Sequence, residues 1–292
     1  MSGIGFKRSL EPTHGRVSAG LLAAVLAGWS LLFFASTWVA AAAPDRPSAR
    51  FTVATYNVLY RNTNLTALVT TIRELDAGLI CLQETTPAIE SRLRAELTTH
   101  YPQQFYQTAA GSGGLALLSR WPLEDVRYLP PEKGIRGALL GRVKPPSLGI
   151  AVEFASVHLR TPQVSGLTAL PGILAAFQKA GEVQDREIRR VYAAFKGDGP
   201  RWLMGDFNSF SFGPAQTFLK AQGWIDSLAS VTEKPDEVPT WHDQRLGIGL
   251  GFRIDFLFHT SHFRTVSSRV VSDGSSDHRP VVSQLEWAGP QP

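Results

Sequence analysis

The sequence predicts an α/β domain behind an apolar N-terminal segment, and three observations carry that expectation. From Phe51 onward, apolar runs of strand length alternate with segments whose apolar residues recur at helical spacing. Several of these runs stop at an amide, a carboxylate or an imidazole, residues that do not suit a core. Ahead of them, residues 19–43 carry no charge and consist mainly of Ala, Leu, Val, Phe and Trp, enough to cross a bilayer as a helix.

A chain of 292 residues, 43% hydrophobic and 10% aromatic, can bury a large core and is not a disordered protein. Its formal charge of +4 would suggest a polyanionic partner only if it lay in the domain. It does not: residues 51–292 hold 24 basic and 23 acidic side chains. The globular part thus shows no compositional signal for nucleic acid. The single cysteine, Cys81, excludes an intrachain disulfide. Its place in Leu79-Ile80-Cys81-Leu82 suits a small buried side chain better than a reactive thiol.

Lys7, Arg8 and Arg16 precede the uncharged stretch, so the positive-inside rule keeps residues 1–18 in the cytoplasm and sends the rest across. Residues 19–43 are expected to form a transmembrane anchor, or the core of a signal peptide cleaved near Val39-Ala40-Ala41-Ala42-Ala43. Residues 44–50 read as a polar linker. Residues 51–287 then form one extracytoplasmic domain.

In order, Phe51 to Tyr56 reads as a strand ending at Asn57. Leu65, Leu68, Val69, Ile72 and Leu75 lie at helical spacing behind a capping Asn64. Leu79 to Leu82 is a second strand, ending at Gln83-Glu84, which completes a βαβ unit with both polar ends at one sheet edge. A helix is expected from Pro87, with Ile89, Leu93 and Leu97 spaced by four. Strands follow at Gly114 to Arg120 and at Ala138 to Val143, and an alternating strand runs from Ile150 to His158. A long helix is expected from about Ile173 to Phe195, with Gly181 a candidate kink. Then come Trp224-Ile225-Asp226, a loop with Pro239-Thr240-Trp241-His242, a strand over Arg253 to Phe258, and Ser275-Ser276-Asp277-His278-Arg279-Pro280.

The centre of this plan is Arg201-Trp202-Leu203-Met204-Gly205-Asp206-Phe207-Asn208. A short apolar run breaks at Gly205 into a carboxylate and a carboxamide two residues apart, which near-extended backbone would send out on one face. Read alone, Asp206 could serve an Asx-turn and Asn208 could cap the helix suggested by residues 213–219. Glu84 could be a surface residue, Asp255 could pair with Arg253, and either histidine could be structural. Together the set says more. Asn57, Glu84, His158, Asp206, Asn208, Asp255, Asp277 and His278 all sit at strand ends, which gather into one crevice in sheets of this kind. Four carboxylates in one pocket repel unless a cation sits among them, and oxygen ligands favour Mg²⁺ or Mn²⁺ over zinc. Two histidines beside such an ion suit activation of water for hydrolysis of a phosphoester.

In this order, Tyr56-Asn57-Val58, Leu82-Gln83-Glu84, Val157-His158-Leu159, Gly205-Asp206-Phe207-Asn208, Arg253-Ile254-Asp255 and Ser276-Asp277-His278-Arg279-Pro280 resemble the motif set of the endonuclease/exonuclease/phosphatase superfamily. That group includes pancreatic-type deoxyribonucleases, AP endonucleases, neutral sphingomyelinases and inositol-polyphosphate phosphatases. The resemblance, from about Phe51 to Leu285, implies a four-layer α/β sandwich of two packed mixed sheets flanked by helices. It implies that Glu84, with Asn57 and Asp277, holds the metal, Mg²⁺ or Mn²⁺. Asp206 would deprotonate or orient the attacking water and Asn208 would hold a phosphoryl oxygen. Asp255 would fix the tautomer of His278, which would stabilise charge developing on phosphorus.

His158 stands where deoxyribonucleases and sphingomyelinases have histidine and AP endonucleases have tyrosine. The deoxyribonuclease branch gives that histidine an acidic partner, and none is identifiable in the sequence. Trp241 and Arg253 are assigned to substrate contact, with Trp224 and the Gly-rich loop of residues 246–251 also at the mouth. Pro239-Thr240-Trp241 resembles membrane-linked bacterial members, including the teicoplanin-resistance type proposed to act on lipid phosphates. The expected protein is a monomeric hydrolase of a lipid-linked phosphate or of nucleic acid. A catalytically inactive binding module on the same fold is the alternative from another class.

Overall fold

The computed structural model describes residues 49–290, apart from residues 133, 165–168, 243–250 and 273–274. The expected cytoplasmic segment, the apolar segment of residues 19–43, residues 44–48 of the linker and most of the Gly-rich loop lie outside the described residues. Among the described residues, no helix is long and apolar enough to cross a membrane.

Two six-stranded sheets form the centre of the domain. The first has the order β13 (Phe263–Val270), β14 (Val281–Trp287), β1 (Arg50–Asn57), β2 (Leu79–Gln83), β4 (Leu115–Ser119), β3 (Gln103–Gln107). The second runs β5 (Leu123–Leu129), β6 (Ala138–Val143), β7 (Val152–His158), β8 (Arg201–Asp206), β12 (Asp255–His259), β9 (Ile225–Asp226). A two-residue ribbon pairs β10 (Trp241–His242) with β11 (Gly251–Phe252). The helices are α1 (Leu65–Glu74), α2 (Pro87–Leu97), α3 (Leu170–Ala193) and α4 (Pro214–Ala221).

Three packed layers of side chains hold these elements in four tiers. Phe51, Leu79, Leu117, Phe154, Trp202, Met204 and Phe263 fill the space between the sheets. Leu68, Ile72, Leu93 and Leu118 lie under α1 and α2, while Ile188, Leu203, Phe207 and Leu219 lie under α3 and α4. Adjacent residues of one strand enter different layers, Leu203 the outer and Met204 the inner. The sequence runs are therefore continuously apolar, the pattern of strands buried on both faces, and each large side chain so buried contributes about 1.5–3 kcal/mol. The same reason corrects the expected alternation of β7, whose seven residues are all buried.

Each sheet contains one parallel pair, β1 with β2 and β7 with β8, and each pair is joined by a helical crossover. A parallel pair ends at one edge, so Asn57 is in register with Gln83 and His158 with Asp206. Antiparallel β12 starts where β8 stops, which sets Asp255 opposite Asp206. One end of the sandwich thus collects the strand-end residues.

Strands β3, β5 and β13 are not among those predicted. They are edge or near-surface strands with sequences such as Gln103-Gln104-Phe105-Tyr106-Gln107, only partly buried, so no apolar run marks them. Helix α3 begins three residues before its expected start and continues through Gly181 without interruption. Instead of kinking the helix, Gly181 lets α4 approach: a Cβ there would lie 3.2 Å from Pro214 Cγ.

Candidate active site

At the end of β8, backbone geometry decides the chemistry. A Cβ at Gly205 would lie 1.9 Å from the carbonyl oxygen of Val157, so glycine alone allows β8 this close to β7. Asp206 follows, 1% exposed. Its Oδ1 accepts a hydrogen bond from the backbone N–H of Asn208 at 2.8 Å, so the Asx-turn exists. Its other oxygen is free for the site: Oδ2 accepts from Asn57 Nδ2 at 3.0 Å and lies 3.4 Å from His158 Nε2 and 3.8 Å from His278 Nε2. Asn208 does not cap α4, whose N-cap is Gly213.

The extended course expected beyond Gly205 is also corrected. Asn208 has φ of 50°, in the left-handed region, and so does Glu84 at 62°. Such conformations cost about 1–3 kcal/mol in a residue with a side chain and persist only when surrounding bonds fix them. Glu84 accepts from Tyr60 N at 2.9 Å and from Asn57 Nδ2 at 3.3 Å. Asn208 donates from Nδ2 to Leu159 O at 3.1 Å, and its carbonyl accepts from Gln184 Nε2 at 3.1 Å.

His278 and His158 stand on either side of Asp206 in contrasting company. His278 Nδ1 donates to Asp255 Oδ2 at 2.9 Å, which fixes the tautomer and turns Nε2 toward Asp206. Burial opposes charge on this ring, but Asp255 and Asp206 more than offset it and push His278 up to about 10. Asp206 is itself raised to about 7, chiefly by burial, with Asp255 adding to the shift. His158 Nδ1 lies 3.0 Å from the carbonyl oxygen of Ser112, which can only accept, so Nδ1 carries the hydrogen. Burial and then the Arg136 guanidinium hold His158 well below the usual imidazole value. Arg136 Nη1 lies 3.0 and 3.3 Å from the two ring nitrogens.

Arg136 and Ser112 are the residues sequence reading misses, and they occupy the place where an acidic partner of His158 was sought. Arg136 lies between a Pro- and Gly-rich turn and β6 with no motif around it. Ser112 has a weak signal in Gly111-Ser112-Gly113-Gly114, since a Cβ at Gly114 would lie 1.8 Å from Thr85 O. Helix α3 supports this corner from beneath. The buried Glu187 accepts from the backbone N–H of Arg136 at 2.6 Å and of Arg160 at 2.8 Å.

A cleft of about 470 Å³ opens over these groups, lined by Glu84, Asp206, Asn208, Asp277, His278 and Trp241 among others. Trp241 Nε1 donates to Asp277 Oδ2 at 3.2 Å, and a bridge from Trp241 to His278 ties the two loops together. Two expected mouth residues lie elsewhere. Arg253, 3% exposed, donates to both oxygens of Asp226 at 2.5 and 2.6 Å and reaches Asp236 at 3.3 Å. It serves the interior and pairs neither with substrate space nor with Asp255. Trp224 is packed against Phe195 in the outer core.

Asp206, Asp255 and His278 offer ligand atoms within 4.8 Å of one another. His278 Nδ1 is already committed to Asp255, and its Nε2 stands 3.8 Å from Asp206, so the trio is joined by one hydrogen bond and by charge. Glu84, Asp206 and Asp277 all line the cleft, and their carboxylates are hard oxygen donors of the kind that fits a divalent cation, while Asn57 turns its Nδ2 toward Glu84 and Asp206.

The fold and this acidic, histidine-flanked cleft define a metal-dependent phosphoester hydrolase. Residues 54–278 match the Endonuclease/Exonuclease/phosphatase family, to which the chain belongs. Among solved structures, an endonuclease/exonuclease/phosphatase from Beutenbergia cavernae is 22% identical with a TM-score of 0.65, covering 82% of this chain and 72% of that one. An AP endonuclease from Archaeoglobus fulgidus is 19% identical, TM-score 0.60, with 80% and 98% covered. D. rerio TDP2 complexed with single-strand DNA product is 15% identical, TM-score 0.63, with 82% and 99% covered. At these identities the likeness concerns the fold. No curated protein matches the chain in sequence.

Proposed function

We propose that this protein is an extracytoplasmic, Mg²⁺- or Mn²⁺-dependent phosphoester hydrolase, attached to the membrane through residues 19–43. The observation that carries the hydrolase reading is the meeting of Glu84, Asp206 and His278 at the floor of one cleft, with Asn57, His158 and Asp255 buried against them. The chain's own groups divide the work. A divalent cation held by Glu84, Asn57 and Asp277 would offset the negative charge of the phosphoryl group. Asn57, bonded to both Glu84 and Asp206, fixes the two carboxylates relative to each other.

Asp206 takes the proton of the attacking water. Its ionisation, raised to about 7 chiefly by burial, suits a base working near neutral pH. His278, cationic and held by Asp255, stabilises charge on the phosphoryl oxygens, and the second N–H of Asn208 Nδ2 is available to the same oxygens. His158, neutral with Nε2 bare, accepts a hydrogen bond and is not the leaving-group acid. Localisation rests on the charge pattern of the first 50 residues. A secreted nuclease is the competing enzyme reading, supported by the nucleic-acid context of two structural neighbours. The near-neutral domain opposes it. An inactive binding module is disfavoured because each catalytic group is present with its partner.

The test is hydrolysis of bis-p-nitrophenyl phosphate by the full chain with Mg²⁺ or Mn²⁺. Turnover should disappear on chelation and in Asp206→Ala; undiminished turnover in that variant overturns the assignment of the base.

A further inference from the structure

Away from the polar floor, the cleft has a wall of aromatic rings in mutual contact. Trp241 stacks on Phe252 at 6.1 Å between centroids, Phe252 meets Phe210 edge-on at 5.4 Å, and Phe210 stacks on Phe177 at 5.7 Å and on Phe212 at 5.4 Å. One end of this wall adjoins Asp277 through the Trp241 hydrogen bond. Its other end is open to solvent: Phe212 is 77% exposed, Leu170 65% and Leu174 59%. Leu170, Leu174 and Phe177 follow one another by four and three residues, so they share one face of α3. Exposed apolar surface continuous with a site is unusual enough to mark an interaction.

Charge is as telling as apolarity here. Residues 161–164 and 169–178 contain no charged side chain, and neither do residues 207–219, so the described segments that supply the rim are neutral throughout. Arg61 is the one lysine or arginine among the described residues lining the cleft. A nucleic acid strand needs cations along its path, because each nucleotide brings a phosphate. This surface offers one charged spot and then hydrocarbon, the complement of a molecule with one phosphate head and an apolar tail.

We propose that the wall and rim seat the hydrocarbon chain of a lipid phosphoester, so that the enzyme takes its substrate from a lipid surface with the rim against it. The inference rests on the hydrolase reading and adds the substrate class. Phosphorus lies over Asp206 and His278, and the chain runs past Trp241 and Phe252 to Phe210, Phe212 and Leu174.

The test uses the full chain in detergent micelles with Mg²⁺ and three esters that are alike at phosphorus: methyl, hexadecyl and thymidine 5′ p-nitrophenyl phosphate. The hexadecyl ester should exceed the methyl ester at least tenfold in kcat/KM. Leu174→Glu with Phe212→Glu should bring that ratio near one without changing the methyl rate, since neither side chain lines the catalytic cleft. Keeping residues 1–50 in both proteins holds any effect of the anchor constant.

A ratio near one in the unaltered protein overturns the proposal, as does a ratio that survives the double substitution. Preference for the thymidine ester, lost in the variant, would make the wall a base-stacking surface and overturn it too. Conversion of a dimer to a monomer with the ratio intact would assign the rim to a second copy of the chain, again overturning it. If none of the three esters turns over, the hydrolase reading itself fails and this inference with it.

Discussion

His158 and His278 are the same side chain, both nearly buried, both within 4 Å of Asp206 Oδ2, and they are driven in opposite directions. His278 has a carboxylate behind it, and Asp255 keeps the ring cationic. His158 has only a neutral carbonyl behind it, and burial followed by the Arg136 guanidinium holds it well below the usual imidazole value. The contrast teaches that the partner on the far nitrogen assigns the role of an imidazole, more than its distance from the reacting groups. In the proposed mechanism one ring is a fixed positive charge for the phosphoryl group and the other a hydrogen-bond acceptor. Asp206, between them, is the group free to exchange a proton.

The contrast can be broken at several points. Asp206→Ala removes the shared neighbour and should have the largest effect, a loss of about 10²–10⁴ in kcat with the fold retained, measured on a soluble diester with circular dichroism as control. Asp255→Asn should cost about 10–100-fold and bring His278 down from about 10 toward the ordinary imidazole value, followed by NMR titration of the ring. An unchanged titration would show that Asp255 does not set the charge of His278.

The same pair makes a stability prediction for the metal-free protein. His278 is raised on folding, so its contribution is complete below about pH 6.5 and is lost as pH rises through about 10. The melting temperature should fall over that window, and less steeply in Asp255→Asn. The base gives another pH test. Asp206 must be ionised to act, and without metal its ionisation lies at about 7. A bound cation favours the carboxylate, so kcat/KM should rise with pH to a midpoint below 7 in saturating Mg²⁺, and that midpoint should move upward as Mg²⁺ is lowered. The smallest effect is expected on the other side: Arg136→Met removes the repulsion acting on His158, raising its imidazole value toward 6.5 with tenfold or less change in turnover. A collapse in turnover would instead show that Arg136 itself binds the phosphoryl group.

Much of this architecture was readable in the amino-acid order, because burial on two faces leaves an unmistakable mark. The runs at β1, β2, β4, β6, β8 and β12 are largely apolar since both sides of each strand are covered, and β1, β2 and β8 end at the polar residues Asn57, Gln83 and Asp206. Parallel pairing through α1 and α3 then follows from chain connectivity, and it brings Asn57, Glu84, His158 and Asp206 to one end. The edge strands β3, β5 and β13 carry no such mark, since half of each faces water and its residues answer to their neighbours alone.

What the order of residues determined by itself is the set of candidate catalytic groups and the end of the sandwich they occupy, because strand ends and the parallel pairing of strands joined by a helical crossover follow from local sequence. What only folding decided is the partnership of each group: Arg136 and Ser112 at His158, Asp226 on Arg253, Pro214 against Gly181, the rings that line the cleft. These are contacts between residues far apart in the chain, made by loops and faces whose meeting depends on every layer packed between them. No local pattern records which guanidinium will lie against which imidazole, and that choice sets the charge on which the chemistry depends.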